Sequence, residues 1–234
     1  MDSPPSSVYN LNRHPAPDTT PAEEKPMLES NAFVIKERVK ILSSSNTYDI
    51  LDAASGEPLG VAQEKISGLV SVLRWFISKH IMPTRVEVRE KPDDSLLFSI
   101  RRGGYIFRSR VEVLDAQGEL VGYFKSKVFT ISGGFTIYDK ADQHFADIKG
   151  KLFGFNYRFV SADGKVEMGK VVKKLSAGAL LKELFTSADT YAVEIDPELA
   201  DNPMAKMLLL AAALAIDMIY KSESRTVDIP GLGD

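Results

Sequence analysis

Two pairs of basic residues stand at alternate positions in stretches that read as strands: Arg108 with Arg110, and Lys125 with Lys127. Alternate residues of a strand point to one face. If Arg110 lies opposite Tyr123 and Arg108 opposite Lys125, the four cations share one face of a hairpin. Val111, Val113, Leu120 and Phe124 then share the other. Arg101 and Arg102 come one turn earlier in the chain. Such a cluster can hold phosphate headgroups, each charge being worth about 1 kcal/mol near an anionic surface. The plainer reading is the wet face of a soluble strand, since protein surfaces are normally charged.

Other chemistry is sparse. The three histidines, His14, His80 and His144, have no metal-ligand spacing such as His-x-x-x-His. No Gly-x-Ser-x-Gly elbow or Walker loop occurs, and Gly103-Gly104 and Gly133-Gly134 sit at turns. The acidic residues are too scattered to nominate a glycosidase pair. The chain has no cysteine, which excludes disulfides, thiolate zinc sites and a cysteine nucleophile. A formal net charge of -3 gives no support to nucleic-acid binding. The reading is therefore a non-catalytic protein that uses no cofactor.

The elements that must position the basic faces are strands. From Asn31 to Asp196, strand patterns alternate with turn signals. Thr84 to Arg89 has a clean period of two, and Pro92-Asp93-Asp94 turns it back into Leu96 to Ile100. An Asp-x-x-(x)-Gly turn recurs at Asp52, Asp115 and, shortened, at Asp163, with irregular spacing. About a dozen strands follow, with turn chemistry at each reversal. Two helical stretches interrupt them. In Ser67 to His80, Leu69, Val72, Leu73, Phe76, Ile77 and His80 fall on one side, and Arg74, Trp75 and Lys79 lie around the other. Trp75 beside the two cations could rest at a lipid interface; packing against the barrel is the plainer alternative. Ser176 to Phe185 is the second.

Near the end of the chain, Pro203 to Tyr220 reads as a helix that is apolar nearly all round, with Lys206 and Asp217 at its margins. A spanning helix wants about 20 apolar residues. Met207 to Ile216 is shorter than that, so burial in protein is favoured. The expected architecture is mainly β with helices (α+β): a closed antiparallel barrel of about twelve strands around a central hydrophobic C-terminal helix. Closure removes exposed edges, and the helix fills the lumen.

Residues 1–30 are rich in Pro, Ser, Thr and charge and are expected to form a disordered tail, which could recruit a protein partner. The barrel is expected over 31–222, with its helix at 203–220, and a flexible tail over 223–234. Residues 1–38 contain no apolar signal-peptide core, and the expected location is the cytoplasm, peripheral to a membrane.

The run Ser187 to Pro197 followed by Met204 to Tyr220, with its Ile216-Asp217 pair, resembles the C-terminal region of phospholipid scramblases. Asn46 to Gly56 resembles their opening strand and turn. The resemblance covers about residues 33–222 and extends to the LURP-one-related and Tubby C-terminal families. It implies a Tubby C-terminal-like barrel threaded by a hydrophobic helix, with a function at membrane lipids. Binding of anionic phospholipid or a membrane surface leads; scrambling of phospholipids between leaflets and a cytosolic scaffold are the alternatives. The resemblance also brings calcium into view, through Asp189, Glu194 and Asp196. Counted from Asp189 as an EF-hand loop, however, Tyr191, Val193 and Glu194 stand where two oxygen ligands and a glycine are needed.

Overall fold

Short alternating segments joined by tight turns have only one way to pair all their backbone groups without leaving an edge, and the chain takes it. In the computed structural model twelve antiparallel strands close into a barrel in which sequence neighbours are spatial neighbours, and the last strand pairs with the first. The structure describes residues 25–38, 45–65, 84–102, 110–126, 134–151, 156–172 and 190–224, with side chains at 84, 126, 151 and 217–224 left aside. The strands are β1 (Ala32–Glu37), β2 (Thr47–Asp52), β3 (Pro58–Lys65), β4 (Thr84–Glu90), β5 (Ser95–Arg102) and β6 (Arg110–Asp115). They continue as β7 (Leu120–Ser126), β8 (Phe135–Asp139), β9 (His144–Lys151), β10 (Asn156–Ser161), β11 (Glu167–Val172) and β12 (Thr190–Ile195). The helix α1 (Pro203–Ser224) follows. The expected helices at 67–80 and 176–185 and the expected C-terminal tail from 225 lie outside the described residues.

The helix occupies the lumen. Leu208 to Leu214 are each no more than 1 % exposed, so the burial runs right round the axis. The inward side chains of the wall, among them Phe33, Ile50, Val88, Phe98, Val113 and Ile137, form one core with them. Each buried leucine contributes about 2 kcal/mol against exposure, which outweighs the modest preference of the sequence for helix as such. The wall approaches closely at Gly122, where an added Cβ would stand 2.8 Å from Leu208 Cδ2 and would also strike the Tyr138 carbonyl. Asn202 starts the helix: its Oδ1 accepts from the Ala205 N–H at 2.9 Å, and Pro203 occupies the first turn, where no N–H is needed.

The barrel has two unlike ends. At one, tight turns close β2–β3, β6–β7, β8–β9 and β10–β11. The Asp115 carboxylate accepts from the N–H groups of Gln117 at 3.0 Å and Glu119 at 2.8 Å, while Gly118 takes φ 86°. Asp139 does the same for Ala141 and Gln143, and there Asp142 itself adopts φ 59° in place of glycine. In the β10–β11 turn, Ser161 rather than Asp163 holds the first position, with Gly164 at φ 75°. The recurrence is thus one of geometry more than of sequence. At the other end α1 finishes, and the connections between strands there lie outside the described residues.

The expected tail boundary at residue 30 moves. Met27–Glu29 form a 3₁₀ turn packed into the end of the barrel where α1 begins, and Met27 is fully buried. Gly60 leaves the space for it; a Cβ there would strike the Met27 methyl and the Arg89 carbonyl. The Met27 N–H donates to the Glu90 carboxylate, the Ser30 hydroxyl to Asp52, and Lys206 Nζ to the Leu28 carbonyl at 2.6 Å. Composition averaged over thirty residues conceals this short apolar pair, Met27-Leu28, whose burial outweighs its ordering entropy only because the barrel offers a fitted socket. Of the expected tail, residues 1–24 lie outside the described part.

Candidate functional site

The basic hairpin exists, with its register two residues away from the expected one and its faces as expected except at Leu120, which the bulge sets opposite Leu114 on the outer side while Val121 takes a place in the core. Arg110 lies opposite Lys125 and Glu112 opposite Tyr123, with an irregularity between Val113 and Leu114. Away from the bulge a shift of two leaves each side chain on its face, so hydrophobic alternation alone does not distinguish the two registers. The turn at Asp115–Glu119 and the bulge set it. Val111, Val113 and Phe124 face the core, as expected, while Arg110 and Lys125 are exposed.

On the outer wall this register builds a cation–aromatic cluster. The Arg110 guanidinium lies 3.7 Å above the Tyr123 ring, and Lys125 Nζ lies 5.1 Å from that ring and 4.9 Å from Tyr138. The two tyrosines stack at 5.0 Å, and His144 approaches Tyr138 at 5.9 Å. Tyr123 is only 2 % exposed although it points outward, because these neighbours cover it. Burial raises the pKa of its hydroxyl, and the Asp142 carboxylate, to which it is hydrogen-bonded, adds to that; Lys125 acts the other way. The phenol stays neutral, and the stacked rings form a rigid floor for two exposed cations.

Glu112 tempers the cluster. Arg101 reaches it through Nη2 at 2.7 Å and Nε at 3.0 Å, and Arg110 Nε lies 3.3 Å away. Two guanidinium groups thus share one carboxylate, leaving a net positive wall patch with Lys125. Exposed pairs of this kind stabilise by roughly 0–1 kcal/mol, so their worth is in orientation more than stability.

Arg102 does not join them. It follows Arg101 in a strand, so it points to the inner side with Ile100, opposite Val111, and is half-buried. Burial lowers its pKa, opposed by the charge of Glu64. Arg108 and Lys127, expected in the same patch, lie outside the described residues. So do Arg74, Trp75 and Lys79, which fall in the sequence between β3 and β4.

Of the calcium candidates, Asp189 lies outside the described residues. Glu194 is engaged by Lys170 at 2.8 Å. Asp196 caps the 3₁₀ turn Pro197–Leu199, accepting from the Glu198 N–H at 2.8 Å. Both carboxylates thus have structural work. Among the described residues no three His, Asp or Glu side chains are arranged to hold a metal ion.

Sequence reasoning missed the aromatic floor. Tyr123 and Tyr138 sit at outward strand positions and look like ordinary surface residues; only the β7–β8 pairing, which sets them directly opposite each other, reveals the stack.

What these features define is a barrel plugged by its own C-terminal helix, with a cation–aromatic patch on the wall. Among the described residues no helix is long and apolar enough to cross a membrane. The chain belongs to the scramblase family, whose model matches residues 34–223. No curated protein matches it. A solved structure of a protein from Arabidopsis thaliana is similar at a TM-score of 0.47 and 10% identity, over 82% of this chain and 97% of that one.

Proposed function

We propose that the chain is a non-catalytic lipid-binding member of the scramblase family that attaches peripherally to anionic membrane surfaces. The supporting observation is the pair of exposed cations, Arg110 and Lys125, side by side on the Tyr123–Tyr138 floor. A headgroup phosphate meets there one planar guanidinium donor and one ammonium, both held in place by rings. Arg101 adds a third charge. Near an anionic bilayer each contributes about 1 kcal/mol, and with Glu112 offsetting one of the three the net two give an attraction that salt readily weakens.

Co-sedimentation with vesicles tests this. Binding is expected to vesicles containing about 30% phosphatidylserine, to fall with added salt, and to be absent on pure phosphatidylcholine. Arg110→Glu with Lys125→Glu should weaken it severely; undiminished binding by that folded variant would remove the patch from the account.

Family membership also supports a second reading, in which the chain moves phospholipids between leaflets. The burial of Leu208 to Leu214 inside the barrel counts against a resting state in which α1 lies in lipid. Reconstituted liposomes with a fluorescent headgroup lipid and an impermeant reductant distinguish the two. Reduction of only the outer-leaflet half would leave peripheral binding standing alone. Neither reading calls on a metal, and vesicle binding is expected to be the same with calcium and with chelator.

A further inference from the structure

The charges of the barrel are sorted along its axis. The end closed by tight turns is acidic: Asp93, Asp94, Asp115, Asp139, Asp163 and Asp196 lie in or beside its turns, against Lys91, Lys140 and Lys165. At the opposite end, where α1 finishes, Arg38, Lys65, Arg85, Arg101, Arg110 and Lys125 stand at or next to strand ends, against Glu37 and Glu64. Moreover, five ion pairs of the wall are polarised in one sense. Arg85 precedes its partner Glu87 (3.5 Å) in β4, and Arg110 precedes Glu112 (3.3 Å) in β6; both strands start at this rim. Arg38, just beyond the end of β1, donates through Nε to Asp49 at 2.9 Å, two residues further from the rim. Lys65, the last residue of β3, reaches back to Glu87 at 4.0 Å. Arg158 near the start of β10 pairs with Glu167, the first residue of β11, at 3.7 Å. In each pair the cation is nearer the rim. Other wall pairs do not share this sense: Arg101–Glu112 and Lys170–Glu194 lie level across their strands, and Arg89 and His144 stand on the turn side of Glu87 and Asp147, Arg89 being also drawn to Asp94 at 4.0 Å.

We propose that the barrel docks end-on on an anionic bilayer, with the rim at which α1 finishes facing the lipid and the tight-turn end facing away. This rests on the lipid-binding reading and adds its geometry. Cations at or near the rim ends of β1, of β3 to β7 and of β10 outnumber the rim anions Glu37 and Glu64 and present one predominant sign to a plane, from more strands than the side-wall patch alone. Strands of about seven residues, tilted by about 40°, separate the two ends by roughly 18 Å. That is more than twice the Debye length of about 8 Å at physiological salt, so the acidic turns are screened from the membrane when the barrel stands on the basic rim. Lying on its side, the barrel would bring both ends within range, and the acidic turns would oppose contact. Arg110 and Lys125 lie at the rim ends of β6 and β7, so the wall patch and the ring reach the same surface.

The chain has no cysteine, so single labels are clean. Asn156→Cys, exposed at the rim start of β10, and Ala141→Cys, exposed in the β8–β9 turn, each take an environment-sensitive fluorophore. Vesicles of about 70% phosphatidylcholine and 30% phosphatidylserine carry a nitroxide lipid as quencher, and pelleting is measured on the same samples. Quenching at position 156 and none at 141 is the expected result. Pelleting with equal quenching at both, or more at 141, overturns the orientation and leaves lipid binding intact. Absence of pelleting by the unlabelled protein removes the lipid reading and this one with it. As a second arm, Arg38→Glu with Arg85→Glu should weaken binding by at least about thirtyfold, whereas Lys140→Glu with Lys165→Glu should change it by less than about twofold. Equal losses from the two pairs would mean that overall charge, and not the rim, governs attachment.

Discussion

The two ends of the barrel use the same residue types for different ends. At the tight-turn end, carboxylates are spent inward on backbone N–H groups: Asp52 on Ala54 and Ser55, Asp115 on Gln117 and Glu119, Asp139 on Ala141 and Gln143. Met27 stops the lumen there, and α1 starts there under its Asn202 cap. At the rim end, charged side chains are engaged mainly with one another and with rings, pairings that contribute little to stability. The contrast teaches that fold specification and surface recognition are separated along the barrel axis. Damage at the turn end or in the lumen should therefore cost stability, and damage at the rim should cost binding.

The lumen gives the largest effect. Leu209 is fully buried within a closed wall, so Leu209→Asp places an unpaired carboxylate where no partner or water can reach it. The cost, at several kcal/mol, is of the order of the whole stability of a domain. Circular dichroism should show loss of the cooperative thermal transition. A folded, soluble Leu209→Asp barrel that had merely lost membrane association would instead make α1 an anchor. Next comes the stopper: Met27→Ala empties a fitted socket beside Gly60 and should destabilise by about 2–5 kcal/mol. Vesicle binding by the still-folded fraction should be unchanged, and a parallel loss of binding would break the separation of the two ends.

A smaller effect is expected at Asp52. Burial acts to raise its pKa, but hydrogen bonds from Ser30, Ser55 and Ala54 and the charge of Lys25 together outweigh it, and the net direction is down. A carboxylate whose folded pKa lies below its unfolded value, about 3.9, contributes stability above that pH and loses it as the pH falls through the folded value. Ser30→Ala should thus cost about 1 kcal/mol at neutral pH. The difference from the parent should shrink below about pH 4, measured by urea denaturation across the acid range. A constant difference down to pH 2 would show that the Ser30 bond is not what holds Asp52 charged.

Much of this was legible before any coordinates. Period-two alternation and the Asp–Gly turns determine which residues face the core, and the apolar run from Met207 to Ile216 is too short to span a bilayer and too apolar to be exposed. Register was not legible, because alternation repeats every two residues and the observed offset is two; the Val113–Leu114 bulge has no signal in the strand pattern. Lys206 reads as a charge that should lie at the margin of the helix, yet it is 1 % exposed. Burial lowers its pKa, and its ammonium is satisfied by the Leu28 carbonyl from a segment whose composition pointed to a tail. Contacts set by strand register and by a distant segment carry the remainder: Arg38 with Asp49, Arg110 with Tyr123, and Met27 with Gly60.

Lys125 offers the finest test of the separation. Its ammonium serves two rings and has no role in the core, so Lys125→Gln removes only cation–π attraction, about 0.5–1 kcal/mol at an exposed site. The stack of Tyr123 on Tyr138 survives, and the thermal midpoint should fall by about 2 °C or less. The loss of one charge at the rim should nevertheless weaken attachment to anionic vesicles about fivefold, the equivalent of about 1 kcal/mol. Lys140→Gln removes the same charge from the turn end, and bulk electrostatics treats the two variants alike. Only a recognition surface confined to the rim separates them, so equal vesicle affinities for Lys125→Gln and Lys140→Gln would return the charge asymmetry of the barrel to the status of an ordinary solvated surface.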